Sequence, residues 1–257
     1  MDLRLGGKKV LITGGSMGIG LACAHGFAAE GCELVLAARN PERLGTAERE
    51  LSAQHGVRVA VEAIDLAASA NAERLAERHP EIDILVNNAG AIPGGNLEAV
   101  DETTWRDAWD LKVFGFINLS RSYYKRMRPK GAGVIINVIG LAGDRPSYDY
   151  IAGTAANAAL MAFTKALGSK SVDHGIRVMA VNPPFTETER LTKPLRARAQ
   201  AKFGDPERWR ELLGKLPFGR PAKAEEIADV VVFLASERAS YMSGSVVNVD
   251  AGAASRN

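Results

Sequence analysis

The sequence predicts an α/β protein built on a single doubly wound parallel sheet with helices on both faces. Three observations predict it. Apolar, strand-like runs alternate with helical patterns from one end of the 257 residues to the other, as βαβ units do. The run Val134-Ile135-Ile136-Asn137-Val138 has no polar alternation, which is expected of a strand covered by helices on both faces. A glycine-rich turn, Thr13-Gly14-Gly15-Ser16-Met17-Gly18-Ile19-Gly20, joins the first strand to the first helix.

Each element follows from its own residues. Lys9-Val10-Leu11-Ile12 is short, apolar and partly β-branched, and it enters the glycine turn as a strand. Leu21 to Glu30 is apolar at helical spacing and leaves it as a helix. Glu33 to Ala38 is a second strand, and Pro41 opens a polar helix reaching about His55. Val57 to Ala63 alternates and makes a third strand, followed by a short helix over Ser69 to Arg78. Ile82 to Val86 is a fourth strand, running into Asn87-Asn88-Ala89-Gly90. A long helix spans about Thr103 to Met127 and stops before Pro129. After the fifth strand, a helix spans about Tyr150 to Ser169, and Ile176 to Val181 is the sixth strand. Residues 188–215 are polar and charged and read as a helical excursion or lid. Ala224 to Ala235 is an amphipathic helix and Ser245 to Val249 the last strand. No linker, repeat or low-complexity stretch interrupts the series, so residues 1–257 read as a single domain.

Composition excludes several classes. Apolar residues make up 46% and charged residues 24%, an ordinary soluble balance. A net charge of +2 argues neither for nucleic acid nor for a membrane surface, and neither partner is expected. No apolar run reaches the ~18 residues of a membrane span, and the N-terminus passes into the first strand without a signal peptide. Cys23 and Cys32 read as reduced filler, consistent with a cytoplasmic protein. With only these two and four scattered His residues, no metal site is expected.

Ligands of such sheets bind beyond the C-terminal ends of the strands. At the first strand end, Gly14, Ser16, Met17, Gly18, Ile19 and Gly20 aim backbone N–H groups and the positive end of a helix at one point, which suits a diphosphate. The spacing Gly-x-x-x-Gly-x-Gly departs from the dinucleotide fingerprint, so a plain strand-to-helix turn is the alternative. The second strand ends in Ala38-Arg39, with no acid for ribose hydroxyls. Arg39 either meets the 2′-phosphate of NADP or stands as a solvated loop charge. Asp65-Leu66 suits an adenine edge, with an ordinary turn Asp as the alternative. Asn88, Ala89 and Gly90 are small enough for a flat cofactor to lie against the backbone, and the Asn amides can tie neighbouring loops together.

Thr13-Gly14-x-x-x-Gly18-x-Gly20, Asn87-Asn88-Ala89-Gly90, Asn182-Pro183 and the tail from Gly219-Arg220-Pro221 to Val249-Asp250 resemble the short-chain dehydrogenase/reductase family along the whole chain. The resemblance implies a Rossmann-type fold, binding of NAD or NADP, hydride transfer between a carbonyl and an alcohol carbon, and a homo-tetramer. It places Pro183 at the nicotinamide and Thr188 at its carboxamide. With Arg39, NADP is expected ahead of NAD. The long helices resemble those that pair across subunits, and Ala152, Ala155, Ala156, Ala158, Ala159 and Ala162 would permit close approach. Packing on the chain's own sheet is the alternative.

The family's Asn, Ser, Tyr and Lys are replaced here. Lys112 stands in the place of the Asn, Gly140 of the Ser, Gly153 of the Tyr and Asn157 of the Lys. Pro184 replaces a usual Gly. Lys and Asn thus appear exchanged between positions 112 and 157. Tyr150 precedes Gly153 by one helical turn, so its ring would enter the space that the glycines leave. The expected arrangement is a rebuilt acid/base site. Tyr150 supplies the hydroxyl, Lys112 the charge that lowers its pKa, and Asn157 a polar spacer. Tyr148 and Tyr150 as packing residues, and Lys112 running out to solvent, are the bland alternatives. An NADP-binding protein without turnover, a sensor or assembly partner, is a competing class. A lyase or isomerase on the same fold is another. Arg145, Arg190, Lys193 and Arg196 either greet an acidic substrate or are solvated loop charges.

Overall fold

The structure, a computed structural model, describes residues 1–256. Seven parallel strands form one sheet: β1 (Lys9–Thr13), β2 (Glu33–Ala38), β3 (Val59–Ala63), β4 (Ile84–Asn87), β5 (Gly133–Val138), β6 (Ile176–Asn182) and β7 (Val246–Asn248). Their order across the sheet is β3-β2-β1-β4-β5-β6-β7. The direction of winding reverses between β1 and β4, and that switch point opens a crevice at the C-terminal strand ends. The helices are α1 (Gly18–Ala29), α2 (Pro41–His55), α3 (Ser69–Arg78), α4 (Glu102–Trp109), α5 (Gly115–Met127), α6 (Ile151–Ser171), α7 (Glu189–Phe203) and α8 (Ala224–Ala235).

The unalternated strands are explained by burial on both faces. In β1, Val10 and Ile12 pack with Phe27 of α1, Leu44 of α2 and Val231 of α8, while Leu11 packs with Leu75 of α3 and Leu119 of α5. A third cluster joins Val113, Phe116, Ala152, Ala156 and Leu160 where the start of α5 and the first half of α6 meet. Burying such side chains contributes about 25 cal/mol per Å² of apolar surface, enough to outweigh the weak propensities of individual segments. A polar thread runs through this core. The Asn87 Nδ2 donates to Ser120 Oγ at 3.1 Å and to Asn137 Oδ1 at 2.9 Å, and Asn137 Nδ2 donates to Thr164 Oγ1 at 2.9 Å. It fixes β4 and β5 against α5 and α6, the elements that frame the crevice.

Two expectations change. The long helix is not continuous: residues Asp110–Phe114 form a π-helical turn between α4 and α5. The widened turn carries an additional residue, so the consecutive Lys112 and Val113 are both buried while Phe114 is 48% exposed. Tyr150 is not in the helix either. It is the cap residue of α6, with φ −143° and ψ 41°. The strand bounds otherwise shift by a residue or two, because hydrogen bonding rather than residue type decides where pairing stops. The excursion after β6 is helical, as α7 followed by a 3₁₀ stretch at Pro206–Leu213. Among the described residues, no helix is long and apolar enough to cross a membrane.

Candidate active site

The glycine turn is held by side-chain bonds from β4. Thr13 Oγ1 accepts from the N–H of Asn88 at 2.8 Å and of Ala89 at 2.9 Å, and Asn88 Nδ2 donates to the Thr13 carbonyl at 3.0 Å. The Asn amide therefore ties the two loops, as its position predicts. Gly14 has φ +66°, and a Cβ there would sit 2.9 Å from Asn88 Nδ2. A Cβ on Gly20 would overlap the carbonyl oxygen of Gly14. Met17 caps α1 with no side-chain hydrogen bond, and the first turn holds no acid. The first N–H groups of α1 thus lack a side-chain acceptor, and the turn is a backbone cradle of the kind a diphosphate fits. Thr188, the cap residue of α7, places its methyl 3.2 Å from where a Cβ on Gly18 would be, closing the cradle from above.

The remaining cofactor candidates are spread along the same edge. Arg39 is exposed beyond β2 and has no ion-pair partner among the described residues. Asp65 is exposed too, and its carboxylate accepts from the N–H of Ala67 at 3.1 Å, stabilising its own turn. Leu66 is buried in the α3–α5 core. Ala89 and Gly90 line the floor, half-buried. Pro183 is buried, and its carbonyl accepts from the N–H of Leu141 at 2.9 Å. That bond joins the loops after β5 and β6. Pro184 follows, half-buried and without an N–H to offer.

Across from the glycine turn lie the positions where the sequence departs from the family pattern. A Cβ on Gly153 would fall inside the Tyr150 ring, and 2.6 Å from its hydroxyl oxygen. The phenol therefore lies in the space that a side chain at 153 would claim. It is held there by the loop after β4, with Gly95 N–H donating to Asp149 O at 2.7 Å and Ile151 N–H to Gly95 O at 3.2 Å. Trp109 Nε1 braces the same corner by donating to Ala152 O at 3.1 Å. Tyr148, at 66% exposed, stands outside this arrangement.

Lys112 is only 8% exposed. Its stem lies on Gly90, where a Cβ would meet Cδ at 3.0 Å, and its ammonium donates to the Ile139 carbonyl at 2.6 Å. The solvent-seeking alternative for this side chain does not hold. Burial, reinforced by the nearby Arg190 cation, brings its pKa down to about 7. Asn157 is 2% exposed and its amide nitrogen points at Gly140, 2.9 Å from a Cβ built there. Its Oδ1 is buried without a hydrogen-bond partner. A buried acceptor left alone costs about 1–3 kcal/mol and marks a place where a donor is expected. Gly140 has φ +137°, a backbone that a serine would adopt only under strain.

The cation beside the Tyr150 phenol is Arg190, not Lys112. Burial raises the Tyr150 pKa, and the Arg190 guanidinium offsets part of that rise. Arg190 reaches from α7 to the carbonyl of Gly90, and to that of Ile92 at 2.9 Å. Glu189, its neighbour, pairs with Arg43 of α2 at 3.1 Å. Of the four loop cations singled out in the sequence, Arg145 donates to Ala253 O at 2.8 Å and Arg196 pairs with Glu207 at 3.2 Å. Arg190 is the one with bonds to the crevice wall. The position two residues after Thr188 was the available clue.

A glycine turn at the switch point of a parallel sheet, opposite polar side chains on the π turn and α6, fits the fold of dinucleotide-linked oxidoreductases. The chain belongs to the short-chain dehydrogenase/reductase family: a family profile described as enoyl-(acyl carrier protein) reductase matches residues 14–254. It is 35% identical to an uncharacterized oxidoreductase of Thermotoga maritima, over 96% of this chain and 97% of that protein. It is 34% identical to a galactitol 2-dehydrogenase (L-tagatose-forming) of Cereibacter sphaeroides, over 97% and 96%. The crystal structure of L-sorbose reductase from Gluconobacter frateurii, complexed with NADPH and L-sorbose, superposes with a TM-score of 0.95 at 35% identity, covering 100% of both chains.

Proposed function

We propose that the protein is an NADP-dependent oxidoreductase acting on a carbonyl/alcohol pair through a rebuilt proton-transfer site of Lys112, Tyr150 and Asn157. The observations that carry this reading are that Tyr150 fills the space at Gly153 and Asn157 that at Gly140, with Asn157 Oδ1 buried and unpartnered, while the Lys112 ammonium is tied to the carbonyl of Ile139, next to Gly140. The diphosphate would lie on the turn Gly14 to Gly20, including Ser16, Met17, Gly18 and Ile19. The adenine side would face Asp65 and Leu66, and the nicotinamide side Asn88, Ala89, Gly90, Pro183 and Thr188. Arg39 favours the 2′-phosphate, and the NADPH of the sorbose reductase is in keeping with that choice. The segment 188–215 acts as the lid, held shut by Arg190.

The bound cofactor supplies the hydride. The chain supplies the proton. A tyrosine whose pKa is raised by burial is a poor acid/base near neutral pH, whereas an amine near 7 is matched to the task. Lys112 therefore takes the proton-donor role, giving its proton to the carbonyl oxygen as the alcohol forms. The Ile139 carbonyl and the Gly90 backbone hold its stem in place. Tyr150 orients the substrate oxygen, and the Asn157 amide accepts a hydroxyl or N–H of whatever fills the crevice. Small side chains along the outer face of α6, where Ala158, Ala159 and Ala162 are exposed, suit pairing of copies into a homo-tetramer.

The test is NADPH oxidation against a panel of ketones and aldehydes, followed by Lys112→Met and Tyr150→Phe. Losing the proton donor should lower the chemical rate about a hundredfold or more, and losing the phenol by less. Full turnover in Lys112→Met refutes the rebuilt site. NADP binding with no turnover on any substrate would favour a cofactor-sensing protein.

A further inference from the structure

We infer that the substrate is an anion, carrying a carboxylate next to the reacting carbonyl or alcohol carbon, and that Arg190 receives the carboxylate. The inference rests on the oxidoreductase reading for which oxygen is reduced, but the anion site stands on its own observations.

Two basic groups meet at Gly90, Arg190 and a Lys112 that is charged below about pH 7, and no carboxylate among the described residues pairs with either. Lys112 and Arg190 both meet Gly90, one through its stem and the other through a bond to the carbonyl oxygen. Neither has an ion-pair partner among the described residues, whereas Arg196, Arg208 and Arg210 of the same excursion each have one. The only charge that Lys112 or Tyr150 feels appreciably is that of Arg190, with no carboxylate opposing it. Two like charges facing one partly desolvated space repel each other, and an anion between them converts that repulsion into attraction.

The donors are also the right kind. The two bonds that Arg190 makes go to carbonyls of the loop after β4, which fixes the guanidinium without using all its N–H groups. A planar fork with donors to spare suits a planar carboxylate. The buried, unpartnered Asn157 Oδ1 adds a second, independent sign that this space is built for a ligand. An acceptor there selects for a hydroxyl. A 2-hydroxy acid brings all the required groups within two adjacent carbons: carboxylate to Arg190, and the reacting oxygen to Lys112, Tyr150 and Asn157. In the reverse direction the 2-oxo acid takes up a hydride at carbon and a proton at oxygen, which balances. The charged group that faces Lys112 is Arg190 from α7, and the loops after β4 and β5 present backbone to it at Gly90 and Ile139. An arriving carboxylate therefore favours its protonated form.

The experiment is a calorimetric titration of the full chain with oxamate, an unreactive analogue of a 2-oxo acid, and with its neutral ester ethyl oxamate. Each is run with and without saturating NADP⁺. Oxamate should bind at least tenfold tighter than the ester, and more tightly at pH 6 than at pH 9. Arg190→Gln should remove about tenfold of that affinity, and Arg190→Lys should restore part of it. Arg190 is exposed, so neither change threatens the fold. Equal affinity for acid and ester, or no binding of oxamate, overturns the inference. So does an Arg190→Gln variant that loses NADP⁺ affinity but keeps oxamate affinity, since the guanidinium would then serve the cofactor's phosphates. Reduction of neutral ketones without oxamate binding would leave the oxidoreductase reading intact and sink this one. Oxamate binding in a chain that never binds NADP⁺ would do the opposite.

Discussion

The two walls of the crevice are built from different material. The cofactor wall is backbone: a glycine turn whose shape is dictated by what a Cβ would strike, stapled by Thr13 and Asn88. The wall proposed for the substrate is side chain: Lys112 from a π turn, Tyr150 from a helix cap, Asn157 from α6 and Arg190 from α7. A backbone wall has few alternatives, because replacing a glycine meets main-chain atoms that cannot yield. A side-chain wall can be exchanged, since the same space can be filled from Gly153 or from Tyr150. The contrast explains how one half could keep a family motif while the other is rebuilt, as proposed above.

The sharpest way to break the contrast is to titrate the substrate wall. With the Lys112 pKa at about 7, the proton needed for carbonyl reduction is present below that pH and lost above it. The single-turnover rate with NADPH should fall about tenfold per pH unit above 7, so roughly a hundredfold between pH 7 and 9. Lys112→Met should abolish this dependence along with most of the rate. Stability carries the same signature. The folded-state pKa lies below the ordinary 10.5 of lysine, so the unfolded chain binds more protons between those values. Thermal stability should therefore rise with pH across that window, and Lys112→Met should flatten the rise. A pH-independent rate would show that the proton comes from elsewhere.

The cofactor wall should respond to a single methyl group. Gly20→Ala places a Cβ on the Gly14 carbonyl oxygen and 2.6 Å from Asn88 Nδ2, where only the backbone can give way. Overpacking of this kind costs about 1–3 kcal/mol, so NADP affinity should weaken by about ten- to a hundredfold. Tyr150→Phe should leave that affinity nearly unchanged. If both variants weaken cofactor binding alike, the two walls are not separable.

What could be read from the sequence follows the same division. The succession of strands and helices and the glycine turn are legible because they depend on local pattern: apolar runs, turn residues and their spacing. Asn88 tying the loops was legible from its place after β4. Tyr150 filling the space over Gly153 was legible from helical spacing, although the residue is a cap and not part of the helix. The π turn was not, because Leu111 to Phe116 carries a pattern that a regular helix satisfies equally well. Nor was the pairing of Tyr150 with Arg190. Those residues are far apart in the chain, and Lys112, almost equally remote, points instead at the Ile139 carbonyl. Contacts made by long side chains across separate elements leave no periodic trace.

The smallest expected effect concerns the edge of the cofactor wall, where backbone gives way to a side chain again. Ala38-Arg39 ends β2 with no acid to accept from the ribose hydroxyls of NAD, and Arg39 projects into solvent. Arg43, one turn into α2, is already engaged with Glu189 and with the Met17 sulfur at 2.9 Å, so Arg39 is the cation left to meet a 2′-phosphate. A guanidinium pairs bidentately with phosphate, but at an exposed position the gain is modest and screened by salt. NADP should therefore bind about tenfold tighter than NAD at low ionic strength. Arg39→Ala should erase most of that preference while leaving NAD affinity as it was, and added salt should narrow the gap in the parent chain but not in the variant. Fluorescence titration of both cofactors at two salt concentrations reads all of this. If Arg39→Ala weakens NAD and NADP equally, the residue supports the turn and not the phosphate. Cofactor choice would then fall to Arg43, and the Glu189 pair would become part of how the lid senses which cofactor is bound.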